Sequence, residues 1–394
     1  MKSHFLSSLP QISLSCSLFV LGCLTYAAFG SPTPDHLGLV EVIVFLCLLF
    51  SAQFGDIARG QIYIPLVAYG MLVPLLAGVM NGAILADLFR DIVPFLFLFL
   101  VLIYRRHAEE LGDKFYHLIA MMGFLFSIRA MTPFLDLYFS GGAFEWGTPL
   151  DLLYLSNNPE VLFSALWMIG CAARLIWSKG RWGMACLLIA LSLFPILSMV
   201  LMMQRAGLVA VAVVCGVMIY EMARRTPRRA VIVLAFLLFL GGSLWGELSF
   251  VSDAMIRKTH LVGLNSRVQE WQQVFSLVFD GWGHALFGYG WGSRLENPAV
   301  GGLSVLYTHS LFSSLLFKTG LLGMVVIAGG LLTGIIRSLP DLFRDRVLFW
   351  ALIFPFVISA GFYASYKSLG FGLILLVFLK TFHQKLETKS PLVA

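Results

Sequence analysis

The sequence predicts an all-α, polytopic membrane protein with a single integral membrane domain, residues 1–394. Of its residues, 59% are hydrophobic and only 12% are charged, whereas soluble domains carry about 25% charged residues. Apolar runs of about 20 residues, the length that crosses a bilayer as a helix, recur along the chain. The six cysteines all lie in such runs and form no CxxC pattern, so we expect neither a disulfide nor a zinc site.

About twelve transmembrane helices are predicted from these runs. We take the apolar stretch at the N-terminus as a retained first helix, because many further spans follow it. The predicted spans are residues 12–30, 37–53, 62–80, 86–104, 114–132, 159–176, 182–203, 206–222, 230–247, 320–337, 347–365 and 367–383.

The charged loops predict the orientation of these spans. Clusters such as "YRRHAEELGDK" and "EMARRTPRRA" fall on one side of the membrane, whereas residues 134–160 carry no lysine or arginine and fall on the other. Lysine and arginine are enriched in cytoplasmic loops. Both termini are therefore expected in the cytoplasm.

One long loop, residues 248–319, separates the ninth predicted helix from the tenth and is expected on the outer side. Its segment "SRVQEWQQVFSLVF" spaces apolar residues as a surface helix does. A second short helix is predicted for "HSLFSSLLFKTG", with Gly320 ending it before the tenth span. Loops of this length are usually functional or disordered, and this one is too rich in aromatic residues for disorder.

Arg205 is set inside an apolar stretch, "LMMQRAGLVAVAVVCGV". An arginine facing lipid at the bilayer centre costs about 2.5–3.5 kcal/mol on insertion scales. Either Arg205 lies at the membrane surface and anchors to lipid headgroups, or it faces an anionic ligand. The predicted topology places it at the outer end of its helix.

Four segments in order, "QRAGLVAV", "SRVQEW", "FGYGWGS" and "THSLFSSLLFKTGLLGMVV", resemble the O-antigen ligase and O-antigen polymerase superfamily. The resemblance covers about residues 195–335. It implies a GT-C-like, inverting, metal-independent glycosyltransferase without a cofactor. The implied donor is an undecaprenyl pyrophosphate-linked glycan at the periplasmic face of the bacterial inner membrane.

The resemblance also implies roles for individual residues. Arg205 and Arg267 would bind the pyrophosphate, and His309 would activate the acceptor hydroxyl. The chain departs from the family pattern at Gln204, where serine or threonine is common, and at Ser310, where asparagine is usual. Gly207 is also displaced by one position from the usual glycine.

These residue types suit the implied chemistry. A guanidinium binds phosphate oxygens in pairs and keeps its charge, and a histidine, with an ordinary pKa near 6.5, serves as a general base. Arg129, Arg257 and Arg294 are candidate accessory phosphate contacts. His284 is an alternative base, ahead of His260.

The expected function is that of an O-antigen ligase, which passes the glycan to lipid A-core. The alternative is a polymerase whose acceptor is another lipid-linked glycan. A lipid-linked sugar transporter is a third hypothesis, although no internal repeat of the kind seen in transporters is apparent. Membrane lipids are the remaining expected partner, and no nucleic-acid partner is expected.

Overall fold

The computed structural model describes residues 12–31, 38–54, 63–139, 151–243 and 265–389, with Gly246, Ser249, Asp253 and Ile256 between the last two ranges. In these parts of the chain the fold is almost entirely helical. Five helices are long and apolar enough to cross a membrane, and five shorter apolar helices accompany them. The all-α membrane class predicted from the sequence is confirmed at this level.

Most helices follow the apolar runs, and several end at a glycine or a charged cluster, as at Gly30, Gly112 and Arg225. Their bounds are α1 Leu14–Phe29, α2 Leu39–Ser51, α3 Ile64–Met80, α4 Leu85–Phe97, α5 Val101–Leu111, α6 Lys114–Phe139, α7 Pro159–Arg174, α8 Trp182–Leu201, α9 Arg205–Arg225, α10 Pro227–Ser243, α11 Asn265–Val278, α12 Trp282–Phe287, α13 Leu311–Leu342, α14 Arg346–Phe362 and α15 Leu369–Lys389.

One predicted span differs from the structure. Residues 86–104 were expected to form one helix, but they divide into α4 and α5 at residues 98–100. No glycine or proline marks the break. All three residues of the break are buried, and a Cβ added to Gly372 on α15 would lie 2.4 Å from the Phe97 carbonyl oxygen. Tight packing on α15 therefore accompanies the break, which the local sequence does not reveal.

Helix α7 forms the centre of the bundle and packs against α6, α8, α9, α14 and α15. Its first nine residues, 159–167, are all buried. Glycines on neighbouring helices approach it closely: a Cβ added to Gly123 would lie 1.9 Å from the Glu160 carbonyl oxygen. The outside of the bundle is apolar, as at Val231 and Phe239 of α10, which are 66% and 73% exposed. Such surfaces are stable in lipid.

The two ends of the bundle differ in character. At one end, here called the basic end, Arg174 pairs with Asp345, and Arg346 pairs with Glu221. At the other, here called the loop end, the side chain of Gln204 donates a hydrogen bond to that of Asn157, over 2.8 Å. Helices α7, α9 and α14 each run from one end to the other.

The described part of the long loop packs at the loop end. Helix α11 matches the helix predicted for residues 266–279. An antiparallel hairpin that the sequence did not predict follows, formed by β1 (Leu295–Asn297) and β2 (Leu303–Val305), with Leu295 opposite Val305. Gly320 interrupts α13 with φ +67°, so the predicted break after the short helix is present.

Candidate functional site

His309 and Glu270 form a buried pair at the loop end. The Nδ1 atom of His309 lies 2.7 Å from Oε2 of Glu270, and the His309 backbone N–H donates to Oε1 over 2.9 Å. The Glu270 side chain is 1% exposed, whereas that of His309 is 18% exposed. The carboxylate is therefore sealed inside the protein, while the imidazole is still reachable from outside.

Asn297 completes this group. Its Nδ2 atom donates to Oε2 of Glu270 over 2.6 Å, while its Oδ1 accepts from the Ala299 backbone N–H over 2.8 Å. Burial by itself raises the pKa of the Glu270 carboxyl, but the hydrogen bonds from His309 and Asn297 outweigh burial and hold the pKa below its usual value. We call His309, Glu270 and Asn297 the histidine centre.

The segment that carries His309 is anchored on both sides. The Tyr366 hydroxyl donates to the Thr308 carbonyl over 3.2 Å. Ser310 is the N-cap of α13, where its hydroxyl accepts from the Phe312 N–H over 3.2 Å. Asparagine and serine are both good N-caps, so the departure from the family pattern at Ser310 preserves the local fold.

Arg267 lies one helical turn before Glu270 on α11. Its guanidinium donates to the Phe362 carbonyl and lies 5.8 Å from the centre of the Tyr363 ring. Burial lowers the pKa of Arg267, and the charge of Arg205 lowers it further, while Tyr363 and Glu270 act in the opposite direction. The structure therefore brings the two predicted pyrophosphate-binding arginines within electrostatic reach of each other.

Arg205 is the first residue of α9, directly after a sharp turn. Met203 in that turn has φ +54°, an uncommon backbone conformation for a residue other than glycine. Gln204, the helix N-cap residue, ties the turn to Asn157. Tyr363 interacts electrostatically with both Arg205 and Arg267. Helix α11 thus connects the arginine pair to the histidine centre.

Arg294 belongs to a different group. Its Nε and Nη2 atoms donate to the two carboxylate oxygens of Asp87, over 2.7 and 3.1 Å. This two-point ion pair joins α4 to the hairpin and gives Arg294 a structural explanation. Nη1 of Arg90 also lies 3.4 Å from Oδ1 of Asp87.

Asp91 is shared by two lysines. Nζ of Lys318 lies 2.6 Å from Oδ2 and Nζ of Lys367 lies 2.9 Å from Oδ1, and the Gly292 N–H also donates to Oδ2. Asp91 and Lys318 are each 2% exposed. We call Asp91, Lys318 and Lys367 the Asp91 cluster.

The other accessory candidates are engaged elsewhere. Arg129 donates to the carbonyl oxygens of Ala27 and Gly30, over 2.9 and 2.6 Å, and so caps the end of α1. The ring of His284 stacks on that of Tyr289 with centroids 4.0 Å apart. Arg257 lies outside the described residues, as do Lys258 and His260.

The glycine run "GYGWG" forms a tight turn. Gly288, Gly290 and Gly292 all have positive φ. A Cβ added to Gly290 would lie 1.9 Å from the Gly78 nitrogen, and the Trp291 indole donates to the Gly70 carbonyl over 2.7 Å. The glycine run therefore packs closely against the backbone of α3.

One group in the described parts of the chain has the residue types of a metal site: Cys16, His107 and Glu110, with ligand atoms within 4.8 Å of one another. Its members already have structural partners. His107 Nε2 lies 2.7 Å from the Ser51 carbonyl, and Glu110 accepts from the Ser13 hydroxyl over 2.9 Å. The group lies near the basic end, away from the histidine centre.

Sequence reasoning missed Glu270, Asn297 and Tyr363. Glu270 lies 39 positions before His309, so only the folded chain reveals the pair. The spacing "RVQE" places Glu270 one helical turn after Arg267, and this was the one local signal available.

No family model, no curated protein and no solved structure matches this chain.

Proposed function

We propose that this protein is a membrane glycosyltransferase that transfers a glycan from undecaprenyl pyrophosphate to a hydroxyl acceptor, with lipid A-core as the preferred acceptor. The observation that carries the proposal is that the buried carboxylate of Glu270 holds the imidazole of His309 at 2.7 Å. Glu270 lies on the same helix as Arg267. A base and a cationic group are the two components that this reaction needs. The resemblance of residues 195–335 supplies the substrate class.

The proposed topology has twelve spans, cytoplasmic termini and residues 248–319 in the periplasm of a bacterial inner membrane. The basic end supports it, because arginines of several loops gather there: Arg174 and Arg346 form ion pairs, and Arg229 donates to the Ile176 carbonyl. Positive residues favour the cytoplasmic side. The loop end is then periplasmic, the side on which lipid-linked glycans are used.

In the proposed reaction, Nε2 of His309 removes the proton from the acceptor hydroxyl. The resulting oxygen nucleophile attacks the anomeric carbon from the face opposite the diphosphate. The carbon–oxygen bond to the diphosphate breaks, and its electron pair leaves with the lipid diphosphate. A single attack of this kind inverts the anomeric configuration.

Arg205 and Arg267 receive the negative charge that develops on the leaving diphosphate. Two guanidinium groups near each other repel, and an anion between them relieves that repulsion. Arg267 is also partly desolvated, and charge interactions strengthen as water is excluded. Such preorganised charge is often the largest catalytic contribution.

A polymerase would use the same chemistry with a second lipid-linked glycan as acceptor. A transporter of lipid-linked sugars would move the donor without breaking its diphosphate bond. The ordered base and arginines favour an enzyme over a transporter, because transport needs no base. The choice of ligase over polymerase rests on the resemblance.

The test is transfer by purified protein in detergent or nanodiscs, with an undecaprenyl pyrophosphate glycan as donor and lipid A-core or a second lipid-linked glycan as acceptor. We expect His309→Ala to lower kcat by about 10²–10⁴-fold, the usual contribution of a general base. Arg205→Ala and Arg267→Ala are expected to lower transfer by at least about 100-fold. The product bond should show inverted stereochemistry.

Arg344→Ala is the matched control, since its side chain is 83% exposed and far from the histidine centre. It should keep wild-type transfer. Full activity in His309→Ala would contradict the proposal, as would donor movement across vesicles without release of undecaprenyl diphosphate. Transfer only to the lipid-linked acceptor would identify the polymerase.

A further inference from the structure

We propose that Glu270 is a positioning residue that fixes His309 in the tautomer whose Nε2 is the free base. The inference rests on the proposed function and deepens it. Its starting point is that Glu270 makes two contacts with the same histidine, one to the ring and one to the backbone N–H. These two contacts fix the ring's position and leave one ring nitrogen to meet the substrate.

Asn297 establishes the direction of these hydrogen bonds. Its Oδ1 atom accepts from the Ala299 backbone N–H, so its other amide atom, the one facing Glu270, is the NH2 group. Oε2 of Glu270 therefore accepts from Asn297, and Oε1 accepts from the His309 N–H. Two fixed donors favour the ionised carboxylate, and the lowered pKa of Glu270 agrees.

An ionised Glu270 requires a proton on Nδ1 of His309, because a carboxylate only accepts. The neutral imidazole then carries its lone pair on Nε2. Among the described residues, no hydrogen bond reaches this Nε2 atom. When Nε2 takes the acceptor proton, the buried negative charge of Glu270 stabilises the imidazolium. The carboxylate itself is not protonated in the step, as in the serine-protease triad.

The fold makes this arrangement rigid. Glu270 lies on the buried face of α11, and Asn297 is held by the hairpin. Because Arg267 lies one turn away on the same helix, one element positions both the base and a diphosphate ligand. Other charged or titratable groups around the pair include Arg205 on α9, Tyr307 beside His309, Lys367 after α14, and Tyr154 and Tyr363.

The test compares Glu270→Gln with wild type, His309→Ala and the double variant. Glutamine has nearly the same shape but no charge, and in either orientation its NH2 group meets a fixed donor, the Asn297 amide or the His309 backbone N–H. Replacing the carboxylate of the serine-protease triad by an amide costs about 10⁴-fold, so we expect kcat to fall by at least about 100-fold with little change in KM for the donor. The acidic limb of the rate profile should move to lower pH.

A purely structural role would predict otherwise. Adding Glu270→Gln to His309→Ala should cause no further loss if the two residues act as a unit, whereas a folding defect would lower activity in both backgrounds. Wild-type kcat and an unchanged pH profile in Glu270→Gln would overturn the proposal. Thermal unfolding of each variant shows whether the fold is retained.

A second readout does not depend on transfer. The chain has eight histidines, and nitrogen-15 histidine spectra of wild type and His309→Ala identify the His309 signals. We expect the neutral form of His309 to carry its proton on Nδ1 and its lone pair on Nε2 in wild type, and a larger share of the other tautomer in Glu270→Gln. An Nε2-protonated His309 in wild type would refute the positioning role. If the spectra agree but no donor is used, the proposed function fails alone.

Discussion

The histidine centre and the Asp91 cluster both contain a carboxylate buried at the loop end, but the two carboxylates serve different purposes. Glu270 and Asp91 have side chains only 1% and 2% exposed. Asp91 meets two lysine ammonium groups, and each lysine also donates to a backbone carbonyl, of Ser293 or Leu306. Glu270 instead meets an imidazole whose Nε2 forms no hydrogen bond within the described part of the chain.

The difference shows how partner choice decides what a buried charge does. In the Asp91 cluster both carboxylate oxygens and both cations are used to join α4, α13 and the segment after α14. Nothing in that arrangement can change protonation without loss of a contact. In the histidine centre the partner can take up a proton while its contact to Glu270 persists. The first arrangement therefore stabilises the fold, and the second is suited to chemistry.

The largest expected effect on stability is that of Asp91→Asn. The substitution leaves two buried or partly buried ammonium groups without their counter-charge, and breaking a buried ion pair costs about 3–5 kcal/mol. We expect a large drop in the unfolding temperature and in the yield of folded protein in detergent. Glu270→Gln should lose activity with a much smaller drop.

Asp341→Asn is the control for Asp91→Asn. Its ion pair with Arg344 spans 3.5 Å, with the arginine 83% exposed, and surface pairs contribute about 0–1 kcal/mol. If Asp91→Asn were as stable as this control, the cluster would not be the structural anchor inferred above.

Gly290→Ala is expected to have the next largest effect, because the glycine run carries the N–H of Gly292 to Asp91. Its φ of +84° disfavours a side chain, and the added Cβ would lie 1.9 Å from the Gly78 nitrogen. Strain of about 1–2 kcal/mol and overpacking of about 1–3 kcal/mol both apply. Thermal unfolding measures the total.

Gly302→Ala separates the two contributions. Gly302 has φ +79°, but an added Cβ would meet nothing within 4 Å. It should therefore show the backbone strain alone. Equal losses at Gly290 and Gly302 would mean that the glycine run is not packed against α3.

The sequence predicted most of the helices because their signal is local. The spans at 159–176 and 182–203 match α7 and α8 within a few residues. The prediction of one helix over residues 86–104 was wrong because an apolar run does not reveal its packing partner. Here the helix breaks next to Gly372 of α15. The hairpin was missed because its strands have only three residues each, too few for a period to show.

The candidate site could be predicted only in part, for a related reason. Arg205 is conspicuous within an apolar run, and His309 was identified through the resemblance. Arg294 could not be told from them in sequence, because its neutralising partner Asp87 lies 207 positions away. Glu270 is one acidic residue on an amphipathic helix until the fold brings it to His309.

The smallest expected effect is the change with pH that Glu270 causes in the free energy of unfolding. Folding lowers the pKa of this carboxyl, with burial opposed by the hydrogen bonds from His309 and Asn297. A lowered carboxyl pKa contributes stability above the unfolded value of about 4.3. That contribution is lost as pH falls through the folded value. A single group changes the unfolding free energy by at most about 1.4 kcal/mol per pH unit.

Chemical denaturation in detergent, followed from neutral pH to about one unit below the unfolded glutamate pKa, measures this linkage. Glu270→Gln should lose stability less steeply than wild type over the acidic part of that range, because it has no proton to gain at this position. His309→Ala keeps the carboxylate but removes a donor, so it should fall between them. If wild type and Glu270→Gln had the same slope, the Glu270 carboxyl would not be held ionised by its neighbours. The hydrogen bond between Glu270 and Nδ1 of His309 would then run from the carboxyl to the ring, and the tautomer of His309 would be reversed.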